Sequence, residues 1–542
     1  MKIRSIFEQD WAGAFVRAVV GIPRSVRLAF TVALAVTVVC WFYDLAQFPL
    51  GDHDVGYQGG IPWLSGGRSG RWFAPFLHLL SANVQIPVWT PLLAHSAQIA
   101  AGMCAVRLWL RTADFLPLLA GGLLLACMPT AADFYYYHWQ APTFTFPQTL
   151  MALSLLLSCP PDEGRVPLRR LAASAVCAVC AFALYQSSVM TWCVLFAGAV
   201  LMYALRAERV DVKTLSARFG PALAAFVAAC LLYVLSLRCY PLVGLSLETE
   251  YQFRTLTLVE MLQRVPAVVR AAYAHFFVIQ PFMGIWLKGL LLLTVGAGFA
   301  ALLYASRGLP PPRRALLLLG VAFLPVAAKA QFFVSAGEGY YLFRFTSLGL
   351  NYVYLFFLLA LLTSSSVKAR NAGLALGVLL LSAMIVNCLH QQILHVRSNT
   401  HDIATLNRVV MKIEELPGFS LQKTWNLVQF GRTTSYMDRT YSSWYNDASL
   451  SGFKGTISQV WRPGFALLLV EADLKLGARM NEMGIHAPEI LRKAVAFAQG
   501  KQAFPAPGSV GIVDDIIVLV FDEKAVRVAE QTLQKQEAGA GF

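Results

Sequence analysis

The stretch "LAFTVALAVTVVCWFYDLAQFPLGDHD", Leu28–Asp54, decides the fold class. Its apolar part, 28–48, is long enough to cross a bilayer, because a spanning helix needs ~20 apolar residues. Two acids, Asp52 and Asp54, with His53 between them, follow where the chain should leave the hydrocarbon. The stretch therefore predicts a membrane span that leads into a loop with a carboxylate pair.

The composition extends this interpretation to the whole chain. Of the 542 residues, 57% are hydrophobic and 14% are charged, and the mean hydropathy is +0.57. Such a chain is typical of a polytopic α-helical membrane protein and not of a soluble one. The net charge of +14 does not indicate nucleic-acid binding, because most of the basic residues fall in short loops, where they set membrane topology.

About eleven apolar segments have the length of a membrane span. Residues 1–27 precede them as a basic cytoplasmic or interfacial segment, and 28–390 form the predicted transmembrane domain. The predicted spans are approximately 28–48, 88–108, 115–133, 142–158, 171–186, 188–205, 219–241, 282–304, 315–333, 347–365 and 372–390.

The distribution of Lys and Arg predicts the orientation. One set of alternate loops is richer in basic residues, and the positive-inside rule makes that set cytoplasmic. An odd number of spans then places the N-terminus inside and the C-terminus outside. The loop with Asp52 and Asp54 is predicted to lie outside as well.

Residues 391–542 change character and predict an α/β domain on the outer face. Helical periodicity marks "THDIATLNRVVMKIEELPG" (400–418) and "PEILRKAVAFAQG" (488–500). The segments "TWNLVQFG" (424–431) and "GIVDDIIVLVFD" (511–522) have the composition of strands, the second with a buried apolar run.

Ionisable residues at membrane depth are costly and by default indicate function. On the predicted outer side, carboxylates could accept a hydroxyl proton, and arginines could hold a phosphate through paired hydrogen bonds. For a single Tyr or Trp, interfacial anchoring is the better explanation of the position. The candidate catalytic residues are Asp52 and Asp54, and the candidate substrate-binding residues are Arg68, Arg71, His138, Tyr185, Gln186, Lys329, Glu338 and Arg344.

The spacing of Asp52 and Asp54 also suits a divalent metal ion bound to a nucleotide-diphosphate sugar. Nucleotide sugars are cytoplasmic, however, and this loop is predicted to face the other side. Arginine can neutralise a single lipid phosphate without a metal. We therefore expect no metal and no other cofactor, with a divalent ion as the alternative.

Four motifs carry a resemblance to a known family: "LGDHDVGY" (50–57), "GRSGRWF" (67–73), "ALYQSS" (183–188) and "PGSVGIVDDIIVLVF" (507–521). With them the chain resembles the GT-C class of membrane glycosyltransferases over nearly its whole length. More closely, it is similar to the Gtr-type O-antigen glucosyltransferases of bacteria and phages. Here His53 separates two acids that tend to be adjacent in that family.

The resemblance implies transfer of a sugar, such as glucose, from an undecaprenyl-phosphate donor to a periplasmic glycan such as the O-antigen of lipopolysaccharide. It implies a bacterial inner-membrane protein, surrounded by lipid, whose active site and C-terminal domain face the periplasm. A flippase and a lipid-phosphate sugar synthase would act upstream, and nucleic acid would play no part. By residue, it implies that Asp52 or Asp54 is the base, that Arg68, Arg71 or Arg344 holds the donor phosphate, and that Tyr185 and Gln186 line the cavity.

Two other functions compete with glycosyl transfer. A lipid-linked glycan flippase would place polar residues at mid-membrane in several spans, often in repeated halves. Few residues come near that depth, and the candidates are Lys329, Gln331, His95 and Gln98. A non-catalytic assembly factor would leave the acids and arginines of the outer side unexplained.

Between the two acids, Asp54 is further from the span and more accessible to a water-soluble acceptor.

Overall fold

In the computed structural model, a helical bundle precedes a small domain with a sheet. The described residues are 21–47, 49, 69–82, 84, 86–138, 140–159, 166–208, 210–243, 256–277, 283–334, 343–431, 467, 471, 473–481 and 487–537, with the side chains of 243, 334, 343–345 and 537 excluded. The bundle helices are α1 (Arg24–Cys40), α2 (Phe42–Gln47), α3 (Ala74–His78), α4 (Trp89–Leu110), α5 (Phe115–Ala126), α6 (Ala132–Tyr135), α7 (Ala141–Ser158), α8 (Leu168–Leu184), α9 (Val189–Arg206), α10 (Val212–Arg238), α11 (Leu258–Phe277), α12 (Ile285–Ala305), α13 (Pro311–Ala327), α14 (Gln331–Val334), α15 (Phe343–Leu362) and α16 (Val367–Glu414).

Each predicted apolar segment overlaps one of the longer helices, and the segments 28–48, 115–133 and 315–333 each extend into a second, short helix. Within the described ranges, 4 helices are long and apolar enough to cross a membrane, and a fifth span results if the bent pair Phe115–Ala126 and Pro129–Tyr135 counts as one. The molecule is therefore a mostly helical membrane protein. The larger number of spans and their orientation stay predictions.

The first predicted span, 28–48, ends earlier in the structure than the apolar run does. Helix α1 ends at Cys40, and the short helix α2 follows after Trp41. The amide Nε2 of Gln392 donates to the carbonyl oxygen of Cys40 at 2.7 Å, and the indole Nε1 of Trp41 donates to that of Ala126 at 2.9 Å. Because a side chain from a distant helix satisfies a carbonyl of the last turn, the helix can end there within an apolar run.

Helices α4 and α5 cross at a glycine pair. A Cβ atom added to Gly102 would lie 2.1 Å from the carbonyl oxygen of Gly121. Such small residues allow close backbone approach, which is how helices pack within a membrane.

The C-terminal domain contains a four-stranded sheet in the order β2-β1-β4-β3. Its elements are β1 (Trp425–Phe430), β2 (Leu476–Asn481), α17 (Pro488–Ala498), β3 (Val510–Val513), β4 (Ile516–Val520) and α18 (Glu523–Glu537). Strand β1 runs parallel to β2 and β4, and β3 is antiparallel to β4. Helices α17 and α18 pack on one face of the sheet, and the end of α16 packs on the other.

The apolar run predicted as a single strand at 511–522 contributes to a hairpin. Strands β3 and β4 meet at Asp514, whose φ of 55° reverses the chain and is tolerated by Asp better than by most residues. The ammonium group of Lys493 donates to the carboxylate of Asp514 at 2.7 Å. This hydrogen bond and the attraction between the two charges lower the pKa of Asp514.

Helix α16 has 48 residues and joins the bundle to the C-terminal domain. The domain boundary predicted at residue 391 falls inside it, because neither Gly nor Pro occurs between Gly377 and Pro417. Its buried face includes Leu380, Met384, Cys388, Gln392, His395, Asn399, Asp402, Leu406, Val409 and Ile413. This spacing of three to four residues makes one continuous stripe, which packs first on the bundle and then on the sheet.

Candidate functional site

The candidate residues that the structure describes gather at one end of the bundle. Helix α1 ends there and α4 begins there, and we name it the site end. The hydrogen bonds of Trp41 and Gln392 join the ends of α1 and α5 to the middle of α16 at this level. Two groups of polar residues lie here, and each holds one end of the segment 48–68.

Asp44, in α2, is the centre of the first group. Its Oδ1 atom lies 3.2 Å from Nε2 of His138, and both side chains are fully buried. Its backbone N–H donates to Oε1 of Gln392 at 3.0 Å. The second carboxylate oxygen, Oδ2, has no hydrogen-bond partner in the described part of the chain. A buried carboxylate therefore lies beside a histidine with one oxygen still able to accept a proton or a hydrogen bond.

Aromatic rings and further histidines enclose this pair. The rings of Trp41 and His95 stack with centroids 5.9 Å apart, and the ring of Tyr135 meets the edge of His95 at 4.1 Å. The ring of Tyr136 lies 4.2 Å from that of His395. Both ring nitrogens of His95 lack a hydrogen-bond partner among the described residues. Leaving such polar atoms unsatisfied costs about 1–3 kcal/mol each, so this interior is less stable than an apolar one.

Gln186 is the centre of the second group, at the junction of α8 and α9. Its amide Nε2 donates to the carbonyl oxygen of Ser69 at 2.8 Å and to the hydroxyl of Tyr233 at 2.8 Å. That hydroxyl donates in turn to the carbonyl oxygen of Gly70 at 3.1 Å. Gly70 has a φ of +80°, and an added Cβ atom would lie 2.8 Å from the Tyr233 hydroxyl. The position therefore requires glycine.

Arg71 follows this anchor and places its guanidinium over the ring of Tyr185, with Cζ 5.0 Å from the centroid. The ring face attracts the cation. Its buried Nε atom has no hydrogen-bond partner within the described ranges. The structure thus brings together three of the residues predicted to bind substrate: Arg71, Tyr185 and Gln186.

A chain of aromatic contacts links the two groups. Tyr137, next to His138, packs against Phe144 with centroids 6.0 Å apart. Phe144 packs against Tyr185 at 4.9 Å. The turn with His138 and the junction with Tyr185 are therefore parts of one packed region.

Lys329 belongs to a third, basic group. It follows α13 and is 1% exposed, and both it and Lys288, which is 3% exposed, lie near His275. The ammonium group of Lys288 donates to the carbonyl oxygen of His275. Lys329 also lies over the ring of Phe332, with Nζ 5.8 Å from the centroid. The structure therefore places Lys329 in this basic group.

The remaining predicted residues stay predictions. Asp52, Asp54, Arg68 and Glu338 lie outside the described residues, and Arg344 is described only by its backbone position in the first turn of α15. Among the residues that the structure does describe, no group of three or more His, Cys, Asp or Glu side chains could hold a metal ion.

The sequence interpretation missed Asp44, Gln392 and His395 as members of the site. Asp44 is the one charged residue inside the apolar run 28–48, and that was the available signal. Gln392 and His395 are three residues apart, so a helix places them on one face. The apolar run 372–390 predicts that the transmembrane domain ends at residue 390, before both of these residues.

The family model described as glucosyl transferase GtrII matches residues 57–358. The matched range contains Arg71, His138, Tyr185, Gln186 and Lys329, and it begins after Asp44. Neither the curated proteins nor the solved structures provided a match.

Proposed function

The chain belongs to the glucosyl transferase GtrII family, and from this premise we propose that it transfers a hexose such as glucose from a polyprenyl-phosphate donor to a cell-surface glycan such as O-antigen. Family membership implies glucosyltransferase activity. The donor, the acceptor and the compartment are our proposal. The site end faces the periplasm of a bacterial inner membrane, where lipid-linked sugars meet glycan acceptors.

The contact of Arg71 with Tyr185 is the observation that carries this proposal. Transfer from a polyprenyl phosphate leaves a phosphate monoester, so the leaving group needs its charge neutralised as the bond breaks. Arg71 is held over the Tyr185 ring, and its buried Nε has no hydrogen-bond partner in the described ranges. A guanidinium placed in this way can hold a phosphate through paired hydrogen bonds.

Asp52 or Asp54 supplies the general base. The segment that carries both acids leaves α2 beside Asp44 and returns at Ser69 beside Gln186, so it starts and finishes at the site end. The carboxylate takes the proton of an acceptor hydroxyl, and the hydroxyl oxygen attacks the anomeric carbon. The bond from that carbon to the phosphate oxygen then breaks, and its electron pair stays on the phosphate.

Transfer of labelled glucose from a synthetic polyprenyl-phosphate donor to an isolated glycan acceptor tests this function. We expect the wild-type protein to transfer the label and the Asp52→Asn or Asp54→Asn variant to lose transfer at normal expression. Asp114→Asn is the matched control, because this exposed carboxylate lies at the opposite end of the bundle. Normal transfer by both single variants would refute the base assignment.

The same preparation separates glycosyl transfer from lipid transport, the alternative function. A flippase moves the labelled lipid between the leaflets of a vesicle without any acceptor present. Movement of the donor with no covalent transfer, in vesicles that contain the acceptor, would contradict the proposed glycosyltransferase.

A further inference from the structure

We propose that Asp44 and His138 form a positioning pair. The pair holds α2, and with it the start of the first loop (the segment 48–68), against the turn between α6 and α7. The inference rests on the proposed function in one respect, because that loop carries the proposed base. The pair itself is a property of the fold, and its member Asp44 precedes Asp52 and Asp54 in the sequence. It acts on the reaction by fixing where the loop begins.

Helix α2 is held in place by two other parts of the chain. This helix has 6 residues, too few to be stable alone, because isolated helices shorter than ~12 residues are marginal. The backbone N–H of Asp44 donates to Gln392 of α16, and its carboxylate bonds to His138. Two elements distant in sequence therefore fix α2, one through its backbone and one through its side chain.

The buried pair of Asp44 and His138 carries a cost in folding free energy. Burying a carboxylate is unfavourable unless it is paired, and removing one partner of a buried pair is more damaging than replacing both. Both side chains are fully buried, and Oδ2 of Asp44 lacks a partner within the described residues. An apolar pair would pack here at lower cost, so stability alone does not explain this choice of residues.

The position of α2 bears on the proposed reaction. A general base must lie within hydrogen-bond reach of the proton that it takes. A misplacement of ~1 Å, even one caused far from the reacting atoms, can lower a rate by ~100-fold. Displacement of α2 moves the point from which the loop leaves, and with it the proposed base.

Kinetics of the full chain in detergent test this role. We expect Asp44→Ala and His138→Ala each to lower kcat by ~100-fold, with little change in the KM for the donor. The double variant should be no slower than the slower single variant, because two residues that act as a unit are not additive. Asp44→Asn keeps an acceptor for the Nε2–H of His138 and should restore most of kcat.

The matched control is Gln98→Ala. Gln98 accepts a hydrogen bond from Nε2 of Gln148 at 2.9 Å, and both side chains are buried in the bundle. This variant also breaks a buried polar pair, but one that does not touch α2. We expect it to lower thermal stability and to leave kcat close to the wild-type value. Equal loss of kcat in Gln98→Ala and Asp44→Ala, or equal defects in Asp44→Asn and Asp44→Ala, would overturn the proposal.

Amide hydrogen exchange tests the pair without any substrate. In Asp44→Ala, exchange should accelerate in α2 (42–47) and stay unchanged in α4. Unchanged exchange in α2 refutes the positioning pair whatever the protein catalyses. If the wild-type protein transfers no sugar while α2 responds as expected, the proposed function fails and the pair stands.

Discussion

Arg71 and Arg218 make the same contact at opposite ends of the bundle. Each guanidinium lies over a tyrosine ring, with Cζ 5.0 Å from the Tyr185 centroid and 4.6 Å from the Tyr203 centroid. Chemistry alone therefore does not distinguish the two arginines. Their location does, because Arg71 adjoins the loop with the proposed base and Arg218 lies near the start of α10.

We expect Arg71→Ala to raise the donor KM by ~10- to 100-fold, because a hydrogen bond to a charged group contributes about 1.5–3 kcal/mol. Arg71→Lys should be intermediate, since lysine keeps the charge and loses the planar fork. Arg218→Ala provides the control and should leave the donor KM unchanged. Steady-state kinetics with the labelled lipid donor measure all three, and equal effects of the two alanine variants would contradict a phosphate-binding role for Arg71.

At the scale of elements, the crossing of α4 and α5 depends on Gly102. An added Cβ atom would lie 2.1 Å from the carbonyl oxygen of Gly121, which is backbone and cannot rotate away. Gly296 in α12 offers a comparison, because a Cβ atom there would have nothing within 4 Å. The two positions separate the packing role of glycine from its effect on helix propensity.

We expect Gly102→Ala to reduce the free energy of unfolding by about 1–3 kcal/mol through overpacking. Gly296→Ala should leave stability unchanged or raise it by up to ~1 kcal/mol, because alanine has the higher helix propensity. Thermal unfolding in one detergent compares the two variants. A loss of stability of the same size in both would show that the crossing does not require glycine.

The elements also show what could be predicted from the sequence. The apolar runs located the helices, because bilayer length and hydropathy are local properties of the chain. The end of α1 could not be predicted, since it depends on Gln392, which lies more than 300 residues later in sequence. The hairpin of β3 and β4 was missed because the apolar residues on both sides of Asp514 concealed the turn.

At the scale of the molecule, α16 belongs to two cores at once. Leu380 and Leu394 pack in the core of the bundle, and Leu406 and Ile413 pack in that of the C-terminal domain. The candidate site could be predicted only in part, because some of its contacts join residues that are distant in sequence. The contact of Arg71 with Tyr185 follows from a shared side of the membrane, whereas the pairing of Asp44 with His138 depends on tertiary packing.

In the wild-type protein, we expect the helical bundle and the C-terminal domain to unfold in one transition, because α16 contributes to both cores. The Ala404→Pro variant should instead unfold in two transitions, since proline removes a backbone hydrogen bond and costs ~3 kcal/mol in a helix interior. Ala404 is exposed, so the change disturbs the helix and spares the packing. Ala404→Ser is the control and should keep one transition in calorimetry. A single transition in Ala404→Pro would show that the two units do not depend on a continuous α16.

The segment 48–68 begins where α2 ends, at Gln47, and this limits how far Asp52 and Asp54 can lie from that point. A residue spans at most ~3.6 Å of chain, so Asp52, five residues beyond Gln47, lies within ~18 Å of it, and Asp54 within ~25 Å. This tether confines both carboxylates to a small volume, where their effective concentration is on the order of millimolar or higher. The proposed acceptor glycan, on reaching the site end, would therefore meet the proposed base at a concentration set by covalent geometry.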